Sequence, residues 1–150
     1  MPHNPNTPVV RAWVRLVKAQ QLALTSVEAA LKAAGLPPLG WYDVLLEVER
    51  AGTKGLRPVE LEQAVLLAQY NLSRLIDRLE RAGYVERKAC EADGRGQLIV
   101  LTAAGRTVRQ KMWPVYARGI EAAVGRHLSA REVLALDGLL GKLVEGNAAD

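Results

Sequence analysis

Between residues 66 and 101 the chain reads LLAQYNLSRLIDRLERAGYVERKACEADGRGQLIVL, and partway along the period of its apolar residues changes. Leu72, Leu75, Ile76 and Leu79 recur at offsets of three, four and seven, which gathers them on one face of a helix over residues 69–82. From the other side project Tyr70, Arg74, Asp77 and Arg81, flanked by Ser73 and Arg78. That face offers hydrogen-bond donors and positive charge, a surface able to enter a DNA groove, with Asp77 placed to orient Arg74 or Arg81. Gly83 stands where a helix-stopping glycine is expected. The chain then alternates from Tyr84 to Lys88, meets Asp93-Gly94-Arg95-Gly96, and continues as Gln97, Leu98, Ile99, Val100 and Leu101. Asp-Gly between two such runs predicts a tight β-hairpin, because Gly accepts positive φ without steric cost.

The 150 residues suit one compact domain, and 49% hydrophobic content can build its core. No run of eighteen apolar residues and no secretory leader is evident, which predicts a cytoplasmic protein without a membrane span. Phe is absent and Ala and Leu abound, favouring helix. The single cysteine, Cys90, excludes an internal disulfide or a multi-thiolate metal site and is read as an inert residue of the hairpin. His3 and His127 lack partners at metal-ligand spacing and are read as surface residues. A net charge of +4 is compatible with a polyanion partner without identifying one. Between Lys54 and Leu101, eight Lys or Arg stand against seven Asp or Glu, so which face the arginines occupy matters more than their number.

Taken in order, residues 1–6 are polar and expected to be disordered. Thr7-Pro8 starts a helix of about 25 residues, ended by Gly35 and Pro37-Pro38, that is longer than a small domain needs for its own core. Thr25-x-x-Glu28 resembles a capping box but lies inside an unbroken periodic run. A second helix over residues 39–49 places Trp41, Val44, Leu45 and Val48 on one face and Asp43, Glu47 and Glu49 on the other. After a turn at residues 52–55, Leu56-Arg57 is read as a short strand and residues 58–66 as a third helix, completing a helix-turn-helix with residues 69–82. Ala68 stands where a Ser or Thr cap is common, leaving Gln69 or Asn71 to share that task. Thr102 caps the next helix, which Pro114 should kink without ending. Ser129-x-x-Glu132 opens a leucine-rich last helix as a capping box.

The combination NLSRLIDRLERAGYVER, DGRG and LTAAGR resembles the multiple-antibiotic-resistance regulator (MarR) family of winged helix-turn-helix transcription factors, loosely over residues 10–145. The resemblance implies a mainly α fold with a small β-hairpin wing. A lobe of residues 39–101 is then flanked by dimerisation helices over residues 7–35 and 103–146, in a single domain of residues 1–150. It implies a homodimer on double-stranded DNA, usually a repressor, whose two recognition helices read half-sites about 10 bp apart. Gln69, Tyr70, Asn71, Ser73, Arg74 and Arg78 are the groove-facing candidates; short polar groups can meet phosphates, and Arg, Asn or Gln can pair with base edges. Arg95 at the wing tip would enter the minor groove, Asp93 would orient the wing's basic groups, and Arg87 and Lys88 would contact phosphates. In the family an effector pocket takes small aromatic or phenolic molecules, and Trp13, Trp41 and Trp113 are its candidate lining here. The competing reading is a winged-helix protein-interaction module without specific DNA binding. No cofactor is expected, nor an enzyme, since no nucleophile elbow, phosphate-cradling glycine loop, metal cluster or Ser/His/Asp set is found.

Overall fold

Side chains close to the backbone start the helices that frame the chain. Thr7 precedes α1 (Pro8–Ala33): its hydroxyl accepts from the Val10 amide at 3.4 Å and its carbonyl from the Arg11 amide at 3.0 Å. The helix runs for 26 residues with no restart at Thr25. α2 (Leu39–Ala51) follows, then a 3-10 turn (Gly52–Lys54), α3 (Pro58–Ala64), α4 (Leu72–Arg81), β1 (Val85–Ala89), β2 (Gln97–Leu101), α5 (Ala103–Ala123), a second 3-10 turn (Gly125–His127) and α6 (Ala130–Ala148). The computed structural model describes residues 6–68, 71–89 and 96–149. The Asp93-Gly94 turn, Arg95, Cys90, Gln69, Tyr70 and His3 therefore lie outside the described residues. The architecture is the mainly α, hairpin-bearing one that the sequence predicts.

Two compact units divide the chain: residues 31–115, and residues 1–30 with residues 116–150. In the first, α2 is the central element. Leu39, Tyr42, Asp43, Val44, Leu45 and Val48 are all buried, so the middle of this helix has no solvent face. Asp43 was expected on a polar face and is instead 6% exposed. Around α2 the core is completed by Leu61 of α3, Leu75, Ile76 and Leu79 of α4, Val85 and Ile99 of the hairpin, and Met112 of α5. β1 and β2 pair antiparallel from Val85 opposite Leu101 to Ala89 opposite Gln97. The expected strand at Leu56-Arg57 is reduced to one bridge: Leu56 and Ile99 exchange amide hydrogen bonds of 3.0 and 2.7 Å.

α5 begins in this same unit. Thr102 donates its hydroxyl to the Gly83 carbonyl at 2.6 Å and accepts from the Gly105 amide at 3.0 Å, which joins the helix start to the stop of α4. A Cβ on Gly105 would lie 2.1 Å from the Tyr84 carbonyl oxygen, so only glycine permits that approach. Glu49 of α2 accepts from Arg106 at 3.4 Å and pairs with Arg109. The boundary between the two units falls inside α5, after Val115. Pro114 does not break the helix.

The second unit is differently built. Among its described residues only Val27 and Gly119 are buried, and α6, 19 residues long, buries none. Leu134, Leu139, Leu143 and Val144 of α6, with Val9, Trp13 and Leu22 of α1, are exposed. At the start of α6 the predicted capping box is present: the Glu132 amide donates to the Ser129 hydroxyl at 3.2 Å and the Ser129 amide to Glu132 Oε1 at 2.9 Å. No described helix is long and apolar enough to cross a membrane.

Candidate nucleic-acid interface

α4 is short and amphipathic, and its two sides differ in charge. Leu75, Ile76 and Leu79 are buried while Asn71, Ser73, Arg74, Arg78 and Arg81 are exposed. At 100° per residue, Arg74, Arg78 and Arg81 share one flank, and Ser73, Asp77 and Glu80 the other. Asn71 occupies the N-cap position with no side-chain cap bond, so among the described residues its side chain does not cap the first backbone N–H groups of α4. α4 begins at Leu72, and the stretch of the expected helix at Gln69 and Tyr70 lies outside the described residues.

The acidic flank is held by the hairpin. Arg87 of β1 donates from Nη2 to Asp77 at 2.6 Å and from Nη1 to Glu80 at 2.9 Å. The Asp77 hydrogen bond raises the guanidinium pKa above its ordinary value; partial burial opposes this, and Glu80 adds to it. Asp77 therefore bonds to Arg87 and not to Arg74 or Arg81, the partners expected from the helix alone. Among the described residues Arg74, Arg78 and Arg81 form no ion pair with a carboxylate. Arg87 and Lys88, grouped in sequence as phosphate contacts, lie on opposite faces of β1. Arg87 shares the face of buried Val85 and turns towards α4, whereas Lys88 is exposed.

Behind α4, the turn from α3 is held from below. The two carboxylate oxygens of Asp43 accept from the amides of Leu66 at 2.8 Å and Leu67 at 2.7 Å. Nothing local in the sequence announced this link across 23 and 24 positions; the one available signal was a carboxylate set among Tyr42, Val44, Leu45 and Val48.

Trp41 meets Tyr84 edge-on at 6.1 Å, Trp113 stacks on Tyr42 at 6.1 Å, and Trp13 stands 65% exposed on α1. In the second unit an apolar groove of about 490 Å³ is lined by Leu22, Ala23, Ala123, Val124, Leu128 and Leu136 among others, with no tryptophan. No cluster of three or more His, Cys, Asp or Glu suited to a metal ion occurs among the described residues.

A sequence profile described as MarR family matches residues 34–96. The multiple antibiotic resistance protein MarR of Salmonella typhimurium is 30% identical over 103 residues, covering 69% of this chain and 70% of that protein. The chain belongs to the MarR family. The MarR protein of Escherichia coli is 32% identical over 89 residues, and the match spans 59% of this chain and 62% of that relative's length. Sco3205, a MarR family transcriptional regulator from Streptomyces coelicolor solved in complex with DNA, superposes with a TM-score of 0.82 at 26% identity, over 93% of this chain and 92% of that one. With α3, α4 and the hairpin in this order, the chain has the winged helix-turn-helix fold of that family.

Proposed function

We propose that this MarR-family chain is a homodimeric, sequence-specific DNA-binding transcriptional regulator of the cytoplasm, a ligand-responsive repressor of a pseudo-palindromic operator, with no catalytic activity. The observation that carries the reading is the division of charge on α4. Both of its carboxylates, Asp77 and Glu80, are bound by Arg87, while Arg74 and Arg78 are exposed and, among the described residues, form no ion pair. A helix so arranged presents net positive charge to a duplex although the lobe as a whole is nearly neutral.

In this reading Asn71 and Ser73, near the start of α4, meet backbone phosphates together with the first amides of the helix. Arg74 and Arg78 lie in the major groove, where a guanidinium can pair bidentately with guanine. Lys88 contacts phosphate. Gln69, Tyr70, the wing arginine Arg95 and its orienting Asp93 complete the set on the strength of the family resemblance. The Tyr42–Trp113 stack, with Trp113 46% exposed, offers an aromatic platform for a small aromatic effector whose binding would shift the population of DNA-competent dimers.

The test is selection of bound fragments from genomic DNA, followed by fluorescence anisotropy on the selected duplex and a scrambled one. Arg74→Ala and Arg78→Ala should each cost about 1–3 kcal/mol on the selected duplex, and the one that reads a base should also narrow the gap to the scrambled duplex. Operator affinity unchanged in both would sink the assignment.

A further inference from the structure

Asp43 is the one polar or charged side chain that the described core buries. Burial of a carboxylate costs several kcal/mol unless its lone pairs are filled. Here both oxygens are used, each on a different amide of the turn between α3 and α4. Leu66 is 76% exposed, so its side chain contributes no packing anchor, and α3 ends at Ala64 while α4 begins only at Leu72. A buried ionised group is poor evidence for stability, because an apolar residue of similar size often serves as well. Its best-attested use is to specify one arrangement against near alternatives.

Leu75, Ile76 and Leu79 hold α4 against the core on one apolar face, but an apolar face resists sliding along the helix axis only weakly. Two short hydrogen bonds to fixed backbone atoms at the preceding turn do resist it. We infer that Asp43 is a positioning residue for DNA recognition: through Leu66 and Leu67 it sets where the first turn of α4, with Asn71, Ser73 and Arg74, meets the groove. This rests on the reading of α4 as the recognition helix. The same contact predicts that Asp43 acts on discrimination more than on bulk attraction, since displacing α4 by a fraction of an ångström misaligns base-edge pairs yet leaves the positive charge in place.

The experiment compares the full-length wild type with Asp43→Asn, Asp43→Ala and Val48→Ala. Val48 is buried in the same helix but has no acceptor to offer the turn's amides, so its truncation lowers stability without removing a hydrogen bond to the turn. Affinities for the selected operator and for a scrambled duplex are measured at a temperature where circular dichroism shows each variant folded. Both Asp43 variants should lose about tenfold or more on the operator and less than about twofold on the scrambled duplex, while Val48→Ala keeps the wild-type ratio of the two. Hydrogen exchange in the wild type supplies a readout independent of whether the variants fold: the Leu66 and Leu67 amides should be protected to the level of the Leu61 amide inside α3. Exchange at the free-chain rate there overturns the inference. So does an operator-to-scrambled ratio that is unchanged in the Asp43 variants, or one that falls equally in Val48→Ala. A wild type that binds neither duplex overturns the DNA-binding reading and this inference with it, which separates the two failures.

Discussion

Arg87 decides which charges α4 shows. Were its side chain removed, Asp77 and Glu80 would stand bare beside Arg74 and Arg78, the proposed DNA contacts, and the like charge would oppose the phosphates. Arg87→Gln should therefore weaken duplex binding, more at low salt than at high. The ion pairs are partly exposed, so the accompanying loss of stability should be no more than about 1 kcal/mol. Adding Asp77→Asn and Glu80→Gln to that variant should restore affinity; a direct phosphate contact by Arg87 predicts no such rescue, and anisotropy across a salt series distinguishes the two. At this scale the sequence told part of the story. The exposure of Ser73, Arg74 and Arg78 followed from helical period alone, because neighbours three and four apart on one helix are fixed by geometry. The partner of Asp77 did not follow, because it lies ten positions away on another element, and the carboxylate nearest in sequence to two arginines was claimed by a third.

Element boundaries were legible where a local signal sets them. Thr7, Thr102 and the Ser129–Glu132 box each sit where short side chains satisfy helix-end amides, and Gly83, at φ 80°, ends the α4 segment in a conformation that glycine adopts freely. Long-range choices were not legible. Asp43 looked solvent-facing because a helical wheel assumes one buried face, whereas α2 is enclosed nearly all round. The first half of α5 joined the winged lobe through Gly105, Arg109 and Trp113, contacts that no periodicity records. Two predictions belong here. The Ser129 backbone hydrogen bond, with its hydroxyl, holds the Glu132 carboxyl below its ordinary pKa. Because the folded value is depressed, the cap is fully in place above the ordinary carboxylate pKa and is lost as pH falls through the lowered one. A carboxyl NMR titration should place the Glu132 midpoint below that of a free glutamate; an ordinary midpoint would contradict the box. Leu139, 60% exposed on a helix that buries nothing, is the residue on which the proposed homodimer is tested. Leu139→Glu should halve the mass seen by light scattering while leaving helix content unchanged, and a wild type already monomeric at micromolar concentration would remove the basis for two half-sites.

At the scale of the whole molecule, the two compact units differ in what they bury. The lobe, residues 31–115, holds nearly all of the described buried side chains, and the unit of residues 1–30 and 116–150 holds Val27 and Gly119. In the proposed homodimer, two copies share the exposed faces of α1 and α6 and present two α4 helices to one duplex. The central claim is that two such helices, each presenting Arg74 and Arg78, grip successive major grooves. Hydroxyl-radical footprinting on the genomically selected operator tests it most directly. Two protected patches centred about one helical turn, or roughly 10 bp, apart, both lost in Arg74→Ala/Arg78→Ala, are the predicted result; a single patch, or protection that survives the double substitution, would contradict it.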